Sequence, residues 1–484
     1  MWNPRSASLI VLALGVTGCA VNPATGQRQL MLVSESQEIQ MGQQSDPAVV
    51  AQYGLYPDEG LQTYIAGLGA RLAARSERPE LPWTFRLVDD PVINAFALPG
   101  GFIYVTRGIL AYFNSEAELA SVMGHEIGHV TARHSAHQMS QQQIAQVGLI
   151  AGVVFLPEDW SNLALGVGGA GLQLLFLKFS RDDESQADDL GMRYLVRADY
   201  DAREMPGVYA MLARVSSAGS SGSAGAARMP EWLSTHPDPL NREQRMLQHL
   251  DTLGQNGTVV NRDAYLRRLD GLVYGVNPRE GFFRETAFLH PDLRFRLDFP
   301  TGWKTANYKA GVVAASQEDD ARMQLTLAEG ASADAAARTF AAQEGLQAGP
   351  ARPATVHGLR TVSLNFTAAT EQTQLRGLAT FIEYGGNVYE LIGYTAEANW
   401  ARYQGTFVAA HGSFAELTDQ AALRVQPLRL SIVTLDAAMT LQRFHQRYPS
   451  QVPVDDVARL NGVEAGATLP RGTLVKRVVG GPLP

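Results

Sequence analysis

The run Gly124-His125-Glu126-Ile127-Gly128-His129 constrains this chain more than any other segment. Two imidazoles four residues apart on a helix are separated by about 40° of rotation, so both can reach one metal ion. The carboxylate between them projects from the neighbouring stripe, where it can hold a water at the metal and act as general base, as in a zinc-dependent hydrolase. The surrounding residues predict a helix. Asn114-Ser115-Glu116-Ala117-Glu118 reads as its start, with Ser115 as N-cap and Glu118 as its capping-box partner. Leu119, Val122, Met123, Ile127 and Val130 recur at helical spacing and predict one buried face. Gly124 and Gly128 each weaken such a helix by about 1 kcal/mol relative to alanine, and their small size lets another backbone or the metal pocket approach closely. The competing reading is a core helix with incidental histidines.

A zinc site of this kind needs a third protein ligand and leaves its fourth position to water. The best candidate lies in Lys178-Phe179-Ser180-Arg181-Asp182-Asp183-Glu184-Ser185-Gln186-Ala187-Asp188. Glu184 and Asp188 stand one helical turn apart on a shared face. Glu184 can bind the metal while Asp188 hydrogen-bonds the outer nitrogen of a histidine ligand. Taken alone, such an acidic run is as readily a solvated helix start.

Together these residues resemble the HtpX/CAAX-protease-type gluzincin metallopeptidases, and within them the soluble periplasmic, BepA-like branch. Further matches are Asn22-Pro23-x-Thr25-Gly26, Asn94-Ala95-Phe96-Ala97-Leu98-Pro99-Gly100-Gly101, and Ser234-Thr235-His236-Pro237 with Arg242 beyond. The resemblance covers about residues 20–270 and implies an endopeptidase with a zincin core, a small sheet packed on the metal helix and a second helix that supplies Glu184. It implies one zinc ion per chain on His125, His129 and Glu184, with Glu126 as general acid/base. For His236 it leaves two roles, a regulatory metal ligand that keeps the enzyme latent or a group that stabilises the transition state. A loop histidine clear of the metal is the alternative. Residues 216–227 just before it are nearly all Ser, Gly and Ala, the composition of a flexible tether, and suggest a gate. Arg242 matches the family arginine and bonds either the oxyanion or a carboxylate in the site. Gly101, Phe102, Ile103 and Tyr104 read as a strand entered through a turn, to which we assign the substrate-binding edge.

The N-terminus points to a compartment. Arg5, an apolar stretch over residues 9–16 and Val16-Thr17-Gly18-Cys19 read as a lipoprotein signal peptide (1–18) with cleavage before Cys19. Cys19 is the only cysteine of 484 residues, which excludes an intrachain disulfide and suits a lipidated first residue. Ala20 is compatible with sorting to the outer membrane, so the expected location is the periplasm, tethered by lipid. Two further apolar stretches, 144–156 and 163–177, are too short or too glycine-rich for a span of about 20 residues. They read as buried or interfacial helices over the cleft. A net charge of −8 gives no reason to expect nucleic acid.

The expected fold class is α+β throughout: a metallopeptidase domain (19–275), an α+β accessory domain (276–424) and a LysM-like β-α-α-β domain (425–484). In the second, residues 293–299, 312–316, 324–327, 361–368, 377–384 and 387–394 read as strands, with helices over 333–344 and 396–410. It shows no ligand cluster, nucleotide loop or nucleophile, so a binding role is the default. In the third, residues 430–434, 438–448, 454–460 and 473–479 give the strand, two helices and strand of a LysM-like module, a fold that often binds peptidoglycan. The expected function is a lipid-anchored zinc endopeptidase that cleaves misfolded or stalled envelope polypeptides, near the outer-membrane assembly machinery. The alternatives are a largely latent protease acting as a chaperone or assembly factor, and a peptidoglycan-associated scaffold.

Overall fold

The computed structural model describes residues 19–149, 179–219, 232, 236, 238–252, 256–369 and 373–481. The expected leader and the stretch 163–177 lie outside these residues, as do most of 144–156 and of the tether. The chain forms two compact units: the first holds the metal helix and, after a long excursion, residues Leu428–Gly480, while Asn277–Pro427 make up most of the second. Among the described residues no helix is long and apolar enough to cross a membrane.

The first unit opens with a hairpin, β1 (Cys19–Val21) and β2 (Arg28–Leu30), followed by helices α1 (Glu35–Tyr53) and α2 (Glu59–Ala73). A three-stranded sheet follows, formed by β3 (Thr84–Val88), β4 (Ala95–Leu98) and β5 (Phe102–Thr106) in the order β3-β5-β4. β5 is therefore central, parallel to β3 and antiparallel to β4. That corrects the substrate edge expected at Gly101, Phe102, Ile103 and Tyr104. Both sides of Phe102–Thr106 are taken by ladder partners, so no third strand can add there.

The metal helix is α3 (Glu116–Thr131). Ser115 Oγ accepts from the Glu118 N–H at 3.1 Å, as expected. The reciprocal bond differs: Glu118 Oε2 accepts from the Asn114 N–H at 2.5 Å, one residue before the N-cap. The burial differs too. Fifteen of its sixteen residues are buried, so the helix is enclosed on all sides and not on one face. It packs on β4, on α2 and on two later helices, α5 (Arg181–Arg197) and α6 (Glu204–Gly219); between α3 and α5 lies α4 (His134–Leu149). The α3–α5 crossing explains the glycines. A Cβ on Gly128 would stand 2.9 Å from Ala187 O, and one on Gly191 2.9 Å from the His125 nitrogen. Only bare backbones come this close, and the approach delivers the Glu184 side of α5 to the histidines. Helices α7 (Pro239–Leu250) and α8 (Arg262–Arg268) complete this part of the unit.

The second unit is built on antiparallel sheets. Four short strands, β6 (Phe282–Arg284), β7 (Ala287–His290), β8 (Phe295–Asp298) and a late β17 (Ala415–Glu416), pair in the order β17-β8-β7-β6. The larger sheet has eight strands, β9 (Lys304–Tyr308), β10 (Gly311–Ala315), β11 (Ala321–Leu327), β12 (Leu346–Ala348), β13 (Arg352–Val356), β14 (Leu359–Ala369), β15 (Gln374–Tyr384) and β16 (Asn387–Ala396). Helices α9 (Ala333–Ala341) and α10 (Trp400–His411) pack on its central strands. His411 is buried, its Nδ1 3.0 Å from Thr380 Oγ1 while its Nε2 makes no hydrogen bond. Burial pulls its pKa down to about 3. The folded value lies below the unfolded one, so its stabilisation is complete above about pH 6.5 and is lost as pH falls toward 3. Over that window His411→Leu is expected to flatten the pH dependence of unfolding by up to roughly 1.4 kcal/mol per pH unit, measured by denaturant unfolding of the two chains in parallel.

Residues Leu428–Gly480 return to the first unit. β18 (Arg429–Thr434), β19 (Met439–Thr440), α11 (Leu441–Arg447), α12 (Val454–Asn461), β20 (Thr468–Leu469) and β21 (Leu474–Val479) follow in order. β18 pairs β21 and β19 pairs β20, so the helix expected from residue 438 starts only at Leu441, after a two-residue strand, capped by Thr440. Leu441, Phe444, Leu460 and Val478 belong to the same apolar core as Leu119, Met123 and Ile127 of the metal helix. Lys476, fully buried, donates from Nζ to the carbonyls of Ala111 and Phe113, each at 2.8 Å, just ahead of that helix.

Candidate metal centre

Four residues expected from the sequence meet at one point. Single donor atoms of His125, His129, Glu184 and His236 all lie within 4.8 Å of one another, and all four residues are buried. His125 Nε2 is 3.0 Å from His129 Nε2, and Glu184 reaches each of these nitrogens at 3.5 Å, through Oε2 and Oε1. The first two come from one turn of α3. The third comes from α5, whose N-cap Ser180 forms a full capping box with Asp183 and so starts the helix one residue before the acidic run. His236 enters last, its Nδ1 2.9 Å from Glu184 Oε1 and 3.2 Å from His125 Nε2. Its ring stacks on Trp232 at 4.7 Å.

Burial drives the His125 pKa down to about 4 and holds His129 well below the ordinary imidazole value, so both are neutral, the form that binds metal. Burial also pushes Glu126 up to about 7, against the pull of His236. A bound divalent cation would add an opposite charge beside it and lower that value. Glu126 Oε1 makes no hydrogen bond and lies 3.7 Å from His236 Nε2, in the rim of the cluster. Two neutral imidazoles and a carboxylate converging on one point fit a single zinc ion, as does a buried carboxylate oxygen left open beside them.

Asp188 stands where the sequence reading puts it, its Oδ1 3.0 Å from His125 Nδ1, so that nitrogen carries the proton and Nε2 is left free. Arg242 takes the carboxylate side of the choice left open for it. Its Nη1 lies 2.7 Å from Glu184 Oε2, and its Nη2 and Nε reach Asp188 at 2.6 and 3.0 Å. The guanidinium lies 4.6 Å from the Tyr209 ring centre and 5.0 Å from that of Trp232. Arg242 therefore orders the carboxylates of Glu184 and Asp188. Burial opposes charge on Asp188, yet Arg242 and His125 hold its carboxyl well below the usual range.

Sequence reasoning missed Tyr209, which hydrogen-bonds Asp188, and His134, whose Nδ1 lies 2.8 Å from His129 Nδ1. Tyr209 carries no local signal. His134 carried one, five residues after His129, but that spacing falls off the helix face. Arg133, at φ 61°, turns the chain between α3 and α4 and swings His134 back onto His129.

Residues 60–250 match Peptidase family M48. Over those residues the chain is similar to that family. It is 33% identical over 262 residues to the "Beta-barrel assembly-enhancing protease" of Yersinia pestis, covering 53% of this chain and 52% of that protein. The Escherichia coli (strain K12) protein of the same name is 33% identical over 229 residues, 46% of this chain and 45% of its own length. The "Mitochondrial metalloendopeptidase OMA1" of Arabidopsis thaliana is 35% identical over 178 residues, 36% of this chain and 33% of that one. The chain thus spans about half the length, or less, of these relatives. The M48 segment holds all four residues of the cluster, and the zinc dependence of M48 peptidases agrees with the donor set.

Proposed function

We propose that this chain is a zinc-dependent endopeptidase of the bacterial cell envelope that cleaves unfolded, misfolded or stalled envelope polypeptides. One observation carries the reading: His125, His129 and Glu184 converge with Glu126 beside them and Asp188 and Arg242 behind. Zinc held there supplies a Lewis acid that polarises a peptide carbonyl and acidifies water. Glu126 takes the proton of the attacking water and passes it to the leaving amine nitrogen. An extended substrate adds to β4 (Ala95–Leu98), the edge strand beside the metal helix, whose outer side has no strand partner among the described residues. Backbone pairing tolerates many sequences, which suits unfolded clients. Cys19, if lipidated after removal of residues 1–18, tethers the enzyme to the membrane on its periplasmic side. The names of its relatives make outer-membrane assembly a candidate setting. The test is proteolysis of unfolded outer-membrane protein by the purified full chain, lost on chelation and restored by zinc.

A second reading, a largely latent protease with a chaperone or assembly role, is favoured by His236 alone. Its Nδ1 stands among the ligand atoms, where it would fill the position water needs. If it holds the site shut, His236→Ala raises cleavage of an unfolded substrate several-fold with zinc content unchanged. A fall in cleavage instead assigns His236 to the transition state. Residues 429–479 place the helix pair α11–α12 between the paired strands β18–β21 and β19–β20; a glycan-binding scaffold role for them is read by co-sedimentation of the full chain with sacculi.

A further inference from the structure

Asn22-Pro23-Ala24-Thr25-Gly26 takes no part in the chemistry assigned above, yet Asn22 is buried. The segment forms the turn of the β1–β2 hairpin. Asn22 N–H donates to Gln27 O and Gly26 N–H to Asn22 O, both at 2.8 Å, with Gly26 at φ 73°, where a side chain is strained. Asn22 Oδ1 accepts from the Ala24 N–H at 2.9 Å. A backbone N–H can only donate, so this contact fixes which end of the Asn22 amide is oxygen. The Nδ2 end donates to Ala132 O, at the C-cap of the metal helix, at 3.1 Å, and faces Gln186 Oε1 on α5 and Gln29 Oε1, each at 3.4 Å.

The polarity then propagates inward. Because Asn22 Nδ2 can only donate, the Gln186 atom it meets is the oxygen. That same oxygen lies 2.9 Å from His134 Nε2. An amide oxygen cannot donate, so neutral His134 carries its proton on Nε2 and leaves Nδ1 bare. His134 Nδ1 lies 2.8 Å from His129 Nδ1, so the proton of that bond belongs to His129. His129 is thereby left with a free lone pair on Nε2, the atom that faces the ligand cluster. His125 reaches the same state through a carboxylate, Asp188.

We propose that Asn22, Gln186 and His134 are positioning residues that set the metal-binding tautomer of His129 and tie it to the N-terminal hairpin. The proposal rests on the metal-centre reading, but its first readout does not need zinc. Ring-nitrogen ¹⁵N shifts of the full chain with labelled histidine, with and without zinc, are expected to show His134 protonated on Nε2. A His134 protonated on Nδ1 overturns the relay, whereas absence of zinc binding overturns the metal reading alone. The second readout is zinc affinity by chelator competition for two charged variants at the partly exposed Gln186. Gln186→Glu still accepts from His134 and is expected to stay within about threefold of the parent chain. Gln186→Lys can only donate, forces the opposite tautomer and is expected to weaken zinc binding roughly 10–100-fold. Charge alone would push in the same direction, so the pair is repeated with His134→Phe, which cuts the relay. There the Glu-to-Lys ratio is expected to fall below about fivefold; an unchanged ratio overturns the proposal. If His134→Phe does not fold, the ¹⁵N tautomer decides.

Discussion

Glu126→Gln is expected to lower kcat/KM for an unfolded polypeptide by about 10²- to 10⁴-fold, the range for loss of a general base. Zinc content should stay at that of the parent chain, because Glu126 is not among the converging ligand atoms. The isosteric amide keeps the packing of a fully enclosed helix, so the folded state should be conserved as well. A variant that cannot turn over also retains its clients, and mass spectrometry of the trapped proteins names them. Activity within tenfold of the parent chain would instead mean that Glu126 moves no proton. Full rescue of a deletion strain by this variant would assign the biological role to chaperoning.

The second large effect is structural. Arg242→Met removes the only arginine that touches both Glu184 and Asp188 among the described residues. Two buried carboxylates then lose a counter-ion, although Arg245 still reaches Asp188 at 3.2 Å. Breaking a buried pair of this kind costs about 3–5 kcal/mol, so the metal-free chain should unfold at clearly lower denaturant concentration. Added zinc, itself a cation beside Glu184, should recover part of the loss, a partial rescue that a surface arginine would not show. Arg242→Lys should recover little, because a single ammonium cannot span Glu184 and both oxygens of Asp188. Equal stability of all three chains would remove Arg242 from the support of the site.

The convergence of the candidate site's residues was legible because it is carried by local spacing. His125 and His129 sit four residues apart, and Glu184 and Asp188 likewise, so one turn of each helix displays its pair. The two glycines of the motif announced a close crossing, and the crossing is there at Gly191 and Ala187. What the sequence did not reveal depends on pairing and on breaks. Phe102–Thr106 reads as a strand but carries no sign of being central, since ladder partners leave no local mark. β4, its neighbour, is only four residues long. Lys304–Tyr308 and Arg352–Val356 have mostly exposed side chains and so lack the alternation that betrays a half-buried strand. His134 was hidden by the left-handed turn at Arg133, which no helical pattern anticipates. The burial of Lys476 beside the start of the metal helix is likewise a tertiary fact, with no signal in the lysine itself.

The measurement closest to the central claim is metal analysis of the purified full chain beside Glu184→Ala. One zinc per chain in the first and a marked loss in the second is the expected result. A parent chain free of zinc, or a Glu184→Ala chain that keeps its full complement at the same affinity, would contradict the metal centre described above.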